Sequence, residues 1–230
     1  MASIELKLQQ LRQRIGDACT LAQRAVQSVT LLAVSKAHDA DMVRRAHAAG
    51  QRAFGENYVQ EALAKIEALA DLRPTLEWHL IGPLQSNKTR EVAAAFDWVH
   101  TVDRLKTAQR LSAQRPDHLP PLQVCLQVNV SGEASKAGLV PDEVAALAQA
   151  VAALPRLRLR GLMAIPEPVD GIEAQREPHR QLRELYDSLR ARGLALDTLS
   201  MGMSADLEAA IAEGSTMVRV GSALFGARAP

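Results

Sequence analysis

Lys36 follows directly on the apolar run Leu31-Leu32-Ala33-Val34-Ser35, so it stands where a short strand ends. An amine at the mouth of a barrel sheds part of its hydration, and desolvation disfavours the ammonium form. The free amine is the species that attacks an aldehyde to give an imine. A lysine that lays its stem on apolar surface and reaches water with its charge fits the same position. Residue type and spacing leave both roles open.

Two turns near the other end of the chain offer a second chemistry. Ser200-Met201-Gly202-Met203-Ser204 joins a strand to a helix, and Gly221-Ser222-Ala223 follows the last strand. Backbone N–H groups in Gly-containing turns approach anions closely, and Ser200, Ser204 and Ser222 add hydroxyl donors, which together suit a phosphate. Ser204 also reads as a plain helix cap, and the two roles are compatible. Arg219 alternates with Val218 and Val220, so its side chain points to the face opposite theirs. Facing inward it donates to a ring nitrogen or an anion; facing outward it is a charge beside a helix.

Other chemistries lack their motifs. Gly221 and Gly226 have the glycine spacing of a P-loop, but Ala227 stands where lysine is required. No G-x-G-x-x-G follows the first strand. The six histidines show no metal-ligand spacing: His38 and His47 are too far apart for one helical turn, and His79 and His100 fall on separate strands. No metal is expected. Cys19 and Cys125 lie in apolar periodic stretches, as buried thiols of a reducing compartment do. A net charge of +1, with arginines interleaved among acids, argues against nucleic acid as a partner. The charged N-terminus lacks the apolar core of a signal peptide, and no apolar run approaches a membrane span. A soluble, cytoplasmic protein is expected.

The elements that must position these residues alternate along the chain. Strands are expected over Thr30–Ser35, Arg52–Gly55, Glu77–Ile81, Trp98–Val102, Val124–Val130, Leu159–Ala164, Thr198–Ser200 and Met217–Val220. Several are nearly all apolar, as strands covered on both faces should be. Helices are expected over Asp41–Ala49, Tyr58–Ala70, Asn87–Phe96 (capped by Ser86), Arg104–Gln114 (capped by Asp103), Asp142–Leu154 (opened by Pro141), Arg176–Arg192 and Ala205–Glu213 (capped by Ser204). An additional helix follows Ser3, with Ile4, Leu8, Leu11, Ile15, Ala18 and Ala22 on one stripe. Strict β–α alternation means a parallel sheet, and eight strands in 230 residues favour an α/β fold closed as a (β/α)8 TIM barrel. The chain is expected to form a single domain over 1–230, with the extra N-terminal helix within 1–28 and the barrel over 30–226. In such a barrel the C-terminal strand ends carry the site, and Lys36, Glu56-Asn57, Asn129, the Ser200–Ser204 turn and Gly221-Ser222 all lie there.

The same residues carry a family resemblance. The blocks Ala33-Val34-Ser35-Lys36, Phe54-Gly55-Glu56-Asn57-Tyr58-Val59-Gln60-Glu61, Trp78-His79-Leu80-Ile81-Gly82 and Leu84-Gln85-Ser86-Asn87-Lys88 belong to it. So do Val128-Asn129-Val130, Ser131-Gly132-Glu133, Ser135-Lys136-Ala137-Gly138, Gly161-Leu162-Met163, Leu199-Ser200-Met201-Gly202-Met203-Ser204 and Val218-Arg219-Val220-Gly221. In this order, over essentially the whole chain, they resemble the pyridoxal phosphate homeostasis proteins, the YggS/PROSC family, whose fold is similar to the alanine racemase N-terminal domain. The resemblance implies that Lys36 holds pyridoxal 5′-phosphate (PLP) as a Schiff base. It places the phosphate on Ser200, Met201, Ser204, Gly221 and Ser222, Arg219 at the pyridine nitrogen and Asn57 near the ring. Pro83 departs from the family, in which many members carry histidine.

The expected role is a PLP carrier or buffer in vitamin B6 homeostasis, without enzymatic activity, that meets apo-enzymes transiently. A PLP-dependent amino-acid racemase is the alternative, and a barrel enzyme acting on a phosphorylated metabolite without PLP is a third reading. A two-base racemase needs an acid/base on the cofactor face opposite the lysine. In alanine racemase that group is a tyrosine from a second domain, which this chain is expected to lack; a monomer is expected for the same reason. Of the two tyrosines, Tyr186 is expected to pack within a helix and Tyr58 to lie nearer the rim. Lys136 is the fallback aldehyde-binding lysine.

Overall fold

A computed structural model describes residues 3–132 and 137–226. Eight parallel strands close into a barrel in sequence order, with the last strand pairing with the first. The strands are β1 (Thr30–Val34), β2 (Ala53–Glu56), β3 (Glu77–Leu80), β4 (Trp98–Val102), β5 (Leu122–Gln127), β6 (Leu157–Met163), β7 (Thr198–Ser200) and β8 (Met217–Val220). The helices are α1 (Ile4–Leu21), α2 (Ala40–Ala48), α3 (Val59–Ala68), α4 (Thr89–Ala95), α5 (Leu105–Gln114), α6 (Pro141–Ala152), α7 (Ile172–Ala191), α8 (Leu207–Ala212) and the single turn α9 (Ser222–Phe225). Among the described residues no helix is long and apolar enough to cross a membrane.

Helix α1 opens where the Ser3 side chain accepts from the Leu6 N–H at 3.3 Å. Its stripe of Ile4, Leu8, Leu11, Ile15 and Ala18 is buried against the barrel helices, and Arg14 grips Glu208 with two bonds of 2.5 and 2.6 Å. Around the barrel, strand side chains alternate between two environments. Phe54, Trp78, Leu80, Val99, Val124, Val218 and their neighbours form the main core beneath the helices. The inner face holds two smaller apolar clusters, Leu32, Val34, Ala53, Ile81 and Met217 on one side and Trp98, Cys125 and Met163 on the other. His79, His100, Ser200 and Arg219, all buried, share that inner face.

Several boundaries differ from the sequence expectation. β5 leaves the barrel at Gln127, because Leu139 donates to the Gln127 carbonyl and Asn129 donates to the Leu139 carbonyl. β6 begins two residues early, taking in Arg158, since strand starts at the barrel floor reach solvent. α7 begins at Ile172 after a left-handed Gly171 and runs through Pro178. Ser86 does not cap α4: Ser86–Lys88 form a 3-10 turn and the helix opens at Thr89. Asp103 does not cap α5, as Arg104 occupies the N-cap position. Ser204 does not cap α8, which opens after Asp206; the Asp206 carboxylate accepts from the Met203 N–H at 2.7 Å instead. α9 was not anticipated.

Candidate functional site

A cavity of about 580 Å³ opens at the C-terminal end of the strands, lined by Lys36, Asn57, Ser204, Arg219, Gly221 and Ser222 among others, with Val34, Ile81 and Ile165 supplying apolar walls. A slightly larger hollow of about 610 Å³ runs along the outside of α1. Its polar groups belong largely to one solvated helix, so the barrel mouth, where groups from several strands converge, is the better candidate.

Lys36 is anchored through both of its neighbours. Ser35, fully buried, donates its hydroxyl proton to Glu56 Oε1 at 2.6 Å, and its carbonyl accepts from Lys65 Nζ at 2.7 Å. Ala37 adopts φ +62°, a left-handed conformation that disfavours a Cβ, and its N–H donates to Glu61 Oε1 at 2.6 Å. Lys65 also donates to Glu56 at 2.8 Å and to Glu61 at 2.6 Å, which closes the cluster. Burial pushes the Glu56 carboxyl above the usual carboxylate range, against the pull of Lys65. In the sequence Glu56 stood out only as a polar residue at a strand end and within a family block, Glu61 only within that block, and Lys65 not at all. The Glu61–Lys65 spacing of four residues on a helix was the available signal.

Asn57 reaches the cavity from the end of β2. A Cβ at Gly82 would lie 2.1 Å from the Asn57 carbonyl oxygen, so glycine there lets the two loops touch. Asn57 Oδ1 is buried with no hydrogen-bond partner among the described residues. A buried amide oxygen left in that state calls for a donor from a ligand or water.

Arg219 points inward, in register with Leu32 of β1. Nη1 donates to the Ser200 carbonyl at 2.6 Å and to the Ser200 hydroxyl at 2.9 Å, and Nη2 donates to the Ala164 carbonyl at 2.8 Å. A guanidinium carries five donors, so capacity remains for a group in the cavity. Burial pulls its pKa down to about 10, which leaves it cationic at neutral pH.

The expected phosphate turn divides. Ser204, Gly221 and Ser222 line the cavity. Ser200 does not: it is fully buried, and its hydroxyl lies between Arg219 and His100. Met201 is fully buried too, and its N–H is used on the Met217 carbonyl. Alternation along β7 turns Ser200 into the barrel interior, below the mouth. Tyr186 packs in α7, its hydroxyl donating to the Leu196 carbonyl at 3.0 Å, while Tyr58 is 62% exposed and outside the cavity lining. Lys136, with Glu133 and Ser135, lies outside the described residues. His79 and His100, which spacing gave no reason to connect, meet at 2.9 Å.

The donor set fits a flat aldehyde with an anionic tail. An amine and a guanidinium face one cavity from neighbouring strands, Asn57 offers an unsatisfied acceptor, and hydroxyl and glycine positions sit at the rim.

Comparison with known proteins agrees. The family model for the alanine racemase N-terminal domain matches residues 6–229. A pyridoxal phosphate homeostasis protein of Pseudomonas aeruginosa is 61% identical over 228 residues, 99% of this chain and 97% of that one. A protein of the same name from Escherichia coli is 55% identical over 229 residues, covering 99% and 98%. The structure of PipY from Synechococcus elongatus with PLP bound superposes with a TM-score of 0.85 at 41% identity, over 97% of this chain and all of that one.

Proposed function

The chain belongs to the family of pyridoxal phosphate homeostasis proteins, built on the alanine racemase N-terminal-domain barrel, and from that premise we propose that it binds PLP at the barrel mouth and acts in intracellular PLP homeostasis as a carrier or buffer. When bound, PLP would supply an aldehyde suited to a lysine amine. Lys36 is the lysine that holds it, Ser204, Gly221 and Ser222 receive the phosphate, Arg219 meets the ring nitrogen and Asn57 lies beside the ring. Ser200 and Met201 contribute from beneath, Ser200 through Arg219 and Met201 through the backbone of the turn. The observation that carries this reading is the convergence of Lys36 and Arg219, from hydrogen-bonded strands β1 and β8, on one cavity that also holds the unsatisfied Asn57 oxygen.

The buried Arg219 cation would oppose protonation of a ring nitrogen held against it and so would weaken the electron-withdrawing chemistry that PLP supplies to catalysis. Among the described residues no tyrosine lines the cavity, which favours a carrier over a two-base racemase. We propose a single domain over 1–230, a cytoplasmic monomer and transient hand-over of PLP to apo-enzymes.

Borohydride reduction of the PLP-loaded protein followed by peptide mass mapping tests the reading. The reduced adduct is expected on Lys36 and absent from Lys36→Ala; an adduct that survives this substitution overturns it. Deuterium exchange at the α-carbon across a panel of amino acids separates carrier from racemase, and clear exchange would favour the racemase.

A further inference from the structure

Below the cavity, polar groups follow one another down the barrel interior. Arg219 Nη1 lies 2.9 Å from Ser200 Oγ; Ser200 Oγ lies 2.8 Å from His100 Nδ1; His100 Nε2 lies 2.9 Å from His79 Nδ1. His79 Nε2 then faces Glu77 Oε1 at 3.4 Å, long for a hydrogen bond but close for electrostatic attraction. Among the described residues this buried nitrogen makes no hydrogen bond. Glu77 lies at the opposite end of the barrel, in a cavity of about 580 Å³ shared with Trp98, Arg160 and Asp197, and its carboxylate also accepts from the Trp98 indole N–H. The line thus runs from the floor of the barrel to the residue that faces the ligand.

Its two ends determine its direction. The guanidinium can only donate, so Ser200 Oγ accepts from Arg219 and its own proton is free to go to His100 Nδ1. His100 then carries its proton on Nε2 and donates to His79 Nδ1. His79 in turn carries its proton on Nε2, aimed at the Glu77 carboxylate, which can only accept. All three hydrogen bonds point toward Glu77, whose carboxylate attracts the His79 Nε2 proton across 3.4 Å. Bonds aligned in this way polarise one another in a low-dielectric interior, which makes Ser200 Oγ a better acceptor for Arg219. Burial, with the Arg219 guanidinium nearby, holds the His100 imidazole well below its ordinary pKa and so keeps it neutral, as the line requires. The neighbouring His79 ring lowers the pKa of Glu77, keeping it ionised.

We infer that Ser200, His100 and His79 form one directional hydrogen-bond line, biased by the charge of Glu77 at its far end, that orients Arg219 toward the ligand, with His79 and His100 as positioning residues remote from the cavity. Its effect on bound PLP rests on the site reading above.

Two measurements test this. In the ligand-free protein, long-range 1H–15N spectra of the imidazoles, assigned with His79→Gln and His100→Gln, are expected to show both rings neutral with the proton on Nε2. A Nδ1 proton on His100, or a charged His100 at neutral pH, overturns the inference whatever PLP does. In the loaded protein, His100→Leu is expected to shift the absorption band of bound PLP and to weaken binding about tenfold, as loss of one good polar contact would. His100→Gln, which can both accept and donate, is expected to restore binding to within about twofold. Borohydride trapping at Lys36 is scored alongside. Trapping with an unchanged band and affinity in His100→Leu sinks the line and leaves the PLP site standing; failure of the unmutated protein to trap at Lys36 sinks the site. If His100→Leu does not fold, the imidazole spectra decide alone.

Discussion

The N–H of Ala37 donates to Glu61 Oε1 at 2.6 Å, so the residue that follows Lys36 is tied to the first turn of α3. That bond holds Ala37 in its left-handed conformation and, with Ser35 bound to Glu56 and Lys65, fixes the lysine's backbone from both sides. Lys65 is the keystone, since it touches Ser35, Glu56 and Glu61 together.

Lys65→Met should therefore destabilise the protein by about 3–5 kcal/mol, because it strands the buried Glu56 carboxylate. The Glu56→Gln/Lys65→Met double variant should lose less than Lys65→Met alone. Urea unfolding of the set measures this, and additive losses would show that the pair is not coupled.

Gly202 has φ +92°, and a Cβ there would lie 2.4 Å from the Ala210 Cβ on α8. Gly202→Ala should displace α8, lower stability by about 2 kcal/mol or more, and weaken PLP binding through the adjoining Met203-Ser204 turn. Thermal unfolding with and without PLP reports both effects.

Stability should decline as pH falls from 7.5 toward 5. Burial holds the folded-state pKa of His100 far below its unfolded value of 6.5, so beneath 6.5 the unfolded chain binds a proton that the folded chain does not. Removing this group, in His100→Gln, should flatten the slope by up to about 1.4 kcal/mol per pH unit. Urea midpoints across that range check it; an unchanged slope would mean that the buried imidazole is protonated in the fold.

Arg219→Met should retain the PLP adduct on Lys36 while shifting its absorption band, since the lysine does not depend on the guanidinium for its backbone anchors. An unchanged spectrum would count against contact between Arg219 and the ring. The variant should also be less stable by about 1–3 kcal/mol, because the Ala164 and Ser200 carbonyls lose a buried donor.

The strands, their parallel order and the place of Lys36 were legible in the sequence, because period-two apolar runs and helix periodicity are local patterns. Arg219 was legible only as a choice of two faces. Barrel closure chose the inward face by pairing β8 with β1 and setting Arg219 opposite Leu32. Family blocks marked Ser200 for the phosphate, yet its position on β7 turns its hydroxyl into the barrel interior, toward Arg219 and His100. The Ser35–Glu56–Lys65–Glu61 cluster and the His79–His100 contact join residues from different elements. No local spacing encodes such contacts, since they exist only once strand register and helix packing bring the side chains within hydrogen-bond reach. The sequence by itself determined a lysine at a barrel mouth; the tertiary structure decided which buried charges hold it there and which polar groups stand behind the arginine opposite.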